Sequence, residues 1–406
     1  MASDLELTRT EALFVSALRC ALHGEKLQGP ELKDSEIFSL RRLAVQQGVL
    51  PMIAQAIVPE GELSTAMKAL YGTARKTTVS QAAHTAEFLL LLDALRSEGL
   101  QPLVLKGIVC RSLYPYPEQR PSIDEDLMVP AADFGKYHAA LLKLGFSAVD
   151  PLSVTEDPDE VSYQDESRGL YLEVHVRLFA SGSASYGDLN VLFEHAAERA
   201  EELRIYGSEL RTFAPTDHLL FLLCHAYKHI LHGGVGLRQI CDLCLFASHW
   251  AEEIDWEKLS QICREKSMSF LAAAFFHIGE QYLGIACPDA FSGEEPETLP
   301  LLLDCLRGGL YGADDADRLH SSTLTLEAVA AQKQGRNRLG VLHSVFLPVS
   351  YMETRFPYLR KMPWLLPVAW VQRVWIYLTR DKATVSGTLQ QGKERMELLR
   401  KYNILS

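Results

Sequence analysis

Apolar residues recur at three- and four-residue spacing along most of the chain, the pattern of helices with one buried face. Among residues 1–80 this pattern predicts helices over residues 5–22, 35–47 and 63–71. A stronger helix is predicted over residues 81–98, where Gly99 ends it. The chain therefore begins as a helical region.

Two short apolar runs, residues 102–105 and 127–129, interrupt the helical pattern and predict buried strands. Gly107 ends the first strand where a short helix, residues 108–114, can begin. A strand-turn-helix of this kind leaves backbone amides at the helix start free to hold phosphate. We therefore expect an anion site at this turn.

The second strand is entered through three acidic residues. Because side chains alternate along a strand, Asp124 and Asp126 should share one face and Glu125 should lie on the other. Two neighbouring carboxylates repel unless a divalent cation or a shared proton neutralises them. The pair therefore predicts a site for a hard metal ion.

A hairpin follows, with arms over residues 161–166 and 170–178. Its second arm alternates, and one face carries Tyr171, Glu173, His175 and Arg177. If this strand lies beside the acidic strand, Glu173 joins Asp124 and Asp126 as a ligand for one or two Mg²⁺ ions. The alternative is a solvent-facing edge strand with incidental charges.

These elements predict an α+β protein that is predominantly helical, with a small mixed sheet flanked by helical regions. We divide the chain into an N-terminal helical region (1–80), a core that carries the sheet (81–180) and a C-terminal helical region (181–406).

Composition narrows the function classes. The 406 residues are 48% apolar, enough for two or three folded domains, and the net charge of −12 argues against a general nucleic-acid binder. No segment reaches the ~20 apolar residues of a membrane-spanning helix. Eight cysteines in mostly apolar surroundings fit reduced core residues. We expect a cytoplasmic protein without a membrane span.

A later helix begins near Pro215 and carries a histidine stripe. The stripe consists of His218, His225, His229 and His232. His225 and His229 have the spacing of a zinc pair, but the glutamate of the metalloprotease pattern does not lie between them. We therefore expect a polar stripe packed against the core, and keep a zinc hydrolase as a distant alternative.

Two further stretches have structural interpretations. On a helix over residues 237–247, Asp242 should pair with an arginine, and Cys241 and Cys244 should be buried thiols. The C-terminal 353–406 segment has ten Lys and Arg against four Asp and Glu, with aromatic residues interleaved. We expect a helix packed on the domain with its cationic stems outward, rather than a docking surface for an RNA end or a membrane.

Four motifs occur in a fixed order through the strands. They are Leu105-Lys106-Gly107, Tyr114-Pro115 with Arg120-Pro121, Asp124-Glu125-Asp126-Leu127-Met128-Val129, and Glu173-Val174-His175. In this order they resemble the large uncharacterised branch of the DNA polymerase beta-like nucleotidyltransferases. Most of that superfamily has Gly-Ser or Gly-Gly at the phosphate turn, whereas Lys-Gly is usual in this branch.

The resemblance implies transfer of a nucleoside monophosphate from a nucleoside triphosphate, such as ATP, to an acceptor hydroxyl, with release of pyrophosphate. Asp124, Asp126 and Glu173 would be catalytic and would hold Mg²⁺ or Mn²⁺. The triphosphate would meet Lys106, Gly107 and Arg120, and His175 and Arg177 would contact nucleotide or acceptor. The acceptor could be a small molecule, a tRNA end or a protein side chain. The alternative is a non-catalytic nucleotide-binding or interaction protein that retains the fold.

Overall fold

The computed structural model describes residues 6–27, 32–58, 62–310, 316–333, 349–353, 356–379 and 382–405.

Among the described residues, four helices precede the first strand: α1 (Arg9–Leu22), α2 (Asp34–Gln46), α3 (Leu50–Ala56) and α4 (Thr65–Ser97). The helices predicted over residues 63–71 and 81–98 are one 33-residue helix, α4. The stretch between them lacks apolar periodicity, but three threonine hydroxyls there donate to the carbonyls one turn earlier. The helix therefore continues where the sequence pattern suggested a break.

The described residues contain one mixed sheet of seven strands. They are β1 (Leu103–Leu105), β2 (Asp124–Met128), β3 (Ser147–Ala148), β4 (Glu160–Asp165), β5 (Leu170–His175), β6 (Glu201–Ile205) and β7 (Ser208–Thr212). The strand order is β3-β4-β5-β2-β1-β7-β6. β2 is central, antiparallel to β1 and parallel to β5.

The predicted α+β, predominantly helical class is confirmed. The hairpin of β4 and β5 matches the predicted one, whereas β6 and β7 were not predicted. They extend the sheet past β1 from residues 201–212, in the stretch assigned to the C-terminal helical region. Their many charged residues gave no apolar strand signal.

The remaining helices surround the sheet. They are α5 (Gly107–Arg111), α6 (Phe134–Lys143), α7 (Pro215–His232), α8 (Leu237–His249), α9 (Trp256–Glu265), α10 (Ser269–Ile278), α11 (Asp289–Ser292), α12 (Thr298–Gly308), α13 (Ala316–Lys333), and three later helices over Val349–Met352, Leu366–Thr379 and Lys382–Lys401. α4 contacts the face of β2 that carries Glu125, and α7 lies over the opposite face. The central strand is therefore covered on both sides.

One continuous hydrophobic core runs from α1 through the sheet to α12 and the chain's last helix. The C-terminal aromatic stretch does not join this core. Its buried residues Phe356, Leu359 and Ala369 form a small separate cluster with Met352. Trp364 and Trp375 are 73% and 67% exposed, whereas Trp370 packs against this cluster, so the expected packing of the stretch is found only in part. Arg380, in the same stretch, lies outside the described residues. No helix in the described part of the chain has the length and apolar character needed to cross a membrane.

Candidate metal and nucleotide site

The two faces of β2 carry different chemistry. β2 and β5 pair in parallel with Asp126 opposite Glu173, so the predicted neighbourhood of the two carboxylates is confirmed. Glu125 points to the other face, as its position between two aspartates requires. The face with Asp126 and Glu173 is the candidate site.

Asp126 is the centre of this site, and its carboxylate is almost completely buried. Its Oδ1 lies 2.9 Å from Lys106 Nζ and accepts a hydrogen bond from His175 Nε2 at 3.1 Å. Its Oδ2 is buried without a hydrogen-bond partner among the described residues. A buried carboxylate oxygen without a donor is costly, which makes it a position for a cation.

In the described part of the chain, one group of ligand-type side chains is close enough to share a metal ion. Asp126, Glu173 and His175 each offer one atom, and these atoms all lie within 4.8 Å of one another. Asp124 is not in this group, although its charge reaches Glu173. His175 was not predicted to belong to the metal cluster. Its spacing of two residues from Glu173, which puts both side chains on one face of the strand, was the pattern that could have indicated it.

The pKa values follow from burial and neighbouring charges. Burial, then the charges of Asp126, Glu160 and Asp124, raise the pKa of Glu173 to about 7. Burial also opposes the ionised form of Asp126, but Lys106 and His175 outweigh it and hold the pKa of that carboxyl well below its ordinary value. The site therefore contains one carboxylate that is always ionised and one that can take up a proton near neutrality.

Lys106 is held from two sides by α7. Its backbone has a φ of +41°, and its N–H donates to Nε2 of His218 at 3.3 Å. Its Nζ lies 3.0 Å from Nε2 of His225. Burial lowers the pKa of His218 to about 3, and burial and the charge of Lys106 hold the pKa of His225 well below its ordinary value. The predicted packing of the histidine stripe against the core is confirmed at these two positions.

On the other face of β2, Glu125 organises the turn after β1. Its carboxylate accepts from the Ile108 N–H at 2.9 Å, from His84 Nε2 at 3.2 Å and from the guanidinium of Arg111. The expectation of free amides is therefore wrong at Ile108, because an internal carboxylate already occupies that amide. Gly107 has a φ of +22°, and a Cβ there would overlap Glu125.

Arg120 is buried beside Asp242. Its Nε donates to Asp242 Oδ1 at 3.1 Å, and Tyr114 donates its hydroxyl proton to the same oxygen at 2.7 Å. The predicted pairing of Asp242 with an arginine is confirmed, as is the burial of the two thiols on α8. Arg177 donates to Asp159 and Asp157, in the segment before β4.

A small pocket, partly open to solvent, adjoins Asp124 and Asp126. The other polar residues that line it are Lys106, Arg120, Ser122, His225, Arg238, Gln239 and Asp242. Gly107 also lines it. The structure thus brings most of the residues predicted for phosphate and metal binding to one pocket. Glu173 and His175 lie beside Asp126 in the cluster, and Arg177 pairs with Asp157 and Asp159 instead.

Comparison with known proteins agrees with this geometry. No curated protein and no solved structure matches the chain. The family model described as uncharacterised nucleotidyltransferase matches residues 34–284, which is more than half of the chain and includes β1 to β7, α7 and α8. The chain therefore belongs to this uncharacterised nucleotidyltransferase family.

Proposed function

We propose that the chain is a metal-dependent enzyme that transfers a nucleoside monophosphate from a nucleoside triphosphate to an acceptor hydroxyl and releases pyrophosphate. The observation that carries the proposal is the cluster of Asp126, Glu173 and His175, together with the buried Oδ2 of Asp126, which has no hydrogen-bond partner among the described residues. Family membership supplies the reaction class.

The two carboxylates of this cluster suit a hard divalent cation such as Mg²⁺ or Mn²⁺, because such ions prefer oxygen ligands. Asp126 and Glu173 would hold the metal, with Asp124 at the mouth of the adjoining pocket as a further ligand. A bound divalent cation would neutralise charge on the phosphates and on the acceptor oxygen.

The chain's own residues supply the remaining functions. Lys106 and Arg120 are cations that line the pocket beside the acidic pair, and Gly107 lets the backbone approach closely there. We assign these three residues to the triphosphate. Glu173 would either complete the metal site or, with a pKa of about 7, take the proton from the acceptor hydroxyl.

His175 and Arg177 take supporting roles in this proposal. Nε2 of His175 donates to Oδ1 of Asp126 and so holds the carboxylate in place. Arg177 is half-buried just after the end of β5. Its guanidinium can contact the acceptor only if it leaves its carboxylate partners, Asp157 and Asp159. We therefore expect His175 to matter more for metal binding than Arg177.

Calorimetric titration tests the proposal. Each of the four nucleoside triphosphates is titrated with Mg²⁺ into wild type, Asp126→Asn and the control Asp133→Asn, whose carboxylate pairs with Lys136 on the surface. We expect Mg²⁺-dependent binding of at least one triphosphate by wild type and the control, and its loss in Asp126→Asn. Binding that is equal in all three proteins, or absent in folded wild type, would refute the proposed site.

A further inference from the structure

The pocket beside Asp126 has donors without partners on the wall formed by Arg120 and the first turn of α8. Arg120 Nη1, Arg238 Nε and Gln239 Nε2 are buried and lack hydrogen-bond partners among the described residues. Arg120 and Arg238 are 4% and 5% exposed. All three residues line the same pocket. We call these three residues the donor wall.

Each of the three side chains also makes at least one hydrogen bond within the protein, and this fixes the side chains. Arg120 is held by Asp242, and Arg238 donates Nη1 to the carbonyl of Pro121. Gln239 accepts the Gly236 N–H on its Oε1 at 2.9 Å, so its Nε2 is the end left for a ligand. The donors are therefore held in place before any ligand binds.

The chemistry of the unpaired atoms indicates what the pocket receives. The three wall atoms are all donors, which match an anion that offers several oxygens. The unpaired acceptor in the same pocket is Asp126 Oδ2, on the side of the metal cluster. A polyphosphate that carries its own divalent cation satisfies both sides at once, whereas an anion without a cation leaves Asp126 Oδ2 unpaired.

We propose that Arg238 and Gln239, together with Arg120, bind the β- and γ-phosphates of the triphosphate and hold pyrophosphate after transfer. This inference rests on the proposed function and adds two residues, Arg238 and Gln239, that the strand motifs do not contain. The start of α8 assists, since both residues lie in its first turn, where the helix dipole is positive.

One substitution separates this role from a structural one. Gln239→Glu keeps the oxygen that accepts the Gly236 N–H and adds an acidic residue to the first turn of α8, so its structural effect is neutral or favourable. It also replaces the free donor by an oxygen that repels phosphate. Gln101→Glu is the control, because it adds the same charge at an exposed position. Gln101 lies just before β1, at the end of the strand opposite to Lys106 and the pocket.

The measurement is calorimetric titration with inorganic pyrophosphate, without and with Mg²⁺, and with the triphosphate that binds wild type. We expect Gln239→Glu to bind pyrophosphate at least about tenfold more weakly than wild type and Gln101→Glu. Its unfolding midpoint should be no lower than that of wild type. Gln239→Met, which removes the donor without adding charge, should also weaken binding.

The outcomes distinguish the inference from the proposed function. Wild type that binds Mg²⁺-triphosphate, with unchanged pyrophosphate affinity in both Gln239 variants, overturns the inference and leaves the proposed function standing. Wild type that does not bind pyrophosphate also overturns it. Wild type that binds pyrophosphate through Gln239 but binds no triphosphate supports the donor wall and overturns the proposed function.

Discussion

Adjacent acidic residues on β2 should respond in opposite ways to replacement by alanine. Glu125 is completely buried and is the shared acceptor for Arg111, His84 and the Ile108 N–H. Asp124 is half-buried, and no hydrogen bond or ion pair joins its side chain to another described residue. We expect Glu125→Ala to unfold easily and Asp124→Ala to stay folded without binding nucleotide.

The magnitude follows from what each substitution leaves behind. Glu125→Ala strands the guanidinium of Arg111, which is fully buried and keeps only its bond to Ser122 at 2.7 Å. Removal of one partner of a buried ion pair costs about 3–5 kcal/mol, a large part of the ~5–15 kcal/mol that stabilises a typical domain. Asp124→Ala strands no partner and should change the free energy of unfolding by less than about 0.5 kcal/mol.

The assay is urea unfolding followed by both circular dichroism and tryptophan fluorescence, with Mg²⁺-triphosphate titration on the same samples. Coincident transitions from the two probes establish that one free energy describes the unfolding. Double replacement of Glu125 and Arg111 by apolar residues should recover much of the lost stability, because no buried charge then remains. Equal loss of stability in Glu125→Ala and Asp124→Ala would refute the division of β2 into a structural and a functional face.

Three further predictions concern the turn, the histidines and the lysine. Gly107→Ala should lower the free energy of unfolding by more than about 1 kcal/mol, since the added Cβ overlaps the buried carboxylate of Glu125. Gly135→Ala, in α6, is the control, because its Cβ meets open space and should not destabilise the protein. Similar melting temperatures for the two variants would contradict this prediction. The pKa of His218 is lowered from 6.5 to about 3, so below pH 6.5 the unfolded state binds a proton that the folded state does not. The contribution of His218 to stability should then fall by up to about 1.4 kcal/mol per pH unit, while the raised pKa of Glu173 acts in the opposite direction; an equal pH slope of the urea midpoint from pH 7 to 5 in wild type and His218→Gln would be inconsistent. Lys106→Met removes the ammonium that occupies Asp126 Oδ1, so Mn²⁺ should bind more tightly without nucleotide and triphosphate more weakly, as measured by electron paramagnetic resonance and calorimetry; unchanged Mn²⁺ affinity would exclude that competition.

The sequence predicts the acidic cluster because its information is local. Period-two alternation assigns the faces of Asp124 and Asp126, and the hairpin pattern identifies the strand that carries Glu173. The pairing of that strand with β2 was conditional in the sequence analysis and is confirmed in the structure. Local pattern and strand order together were therefore sufficient for Asp126 and Glu173.

The role of Glu125 could not be predicted, because its partners come from distant parts of the chain. His84 lies on α4, 41 residues earlier, and Arg111 lies on α5, 14 residues earlier. A similar reason applies to Arg238 and Gln239, which reach the pocket only because α8 packs beside α5. Tertiary placement of helices is what turns these residues into parts of a site, and no spacing within one element encodes it.

The structural face of β2 also determines the geometry of the functional face. Lys106 and Gly107 both have a positive φ, an unfavourable conformation for a lysine, so the surrounding structure must hold the turn in place. Glu125 accepts the Ile108 N–H on one side of the sheet, and His218 accepts the Lys106 N–H on the side of α7. These two hydrogen bonds hold the turn in place. The ammonium of Lys106 then lies between Asp126 and His225. A lysine tethered in this way keeps its charge at the mouth of the pocket, whereas the same lysine on a relaxed strand end would extend into solvent. Loss of either backbone anchor should therefore weaken triphosphate binding even though neither anchor touches the ligand.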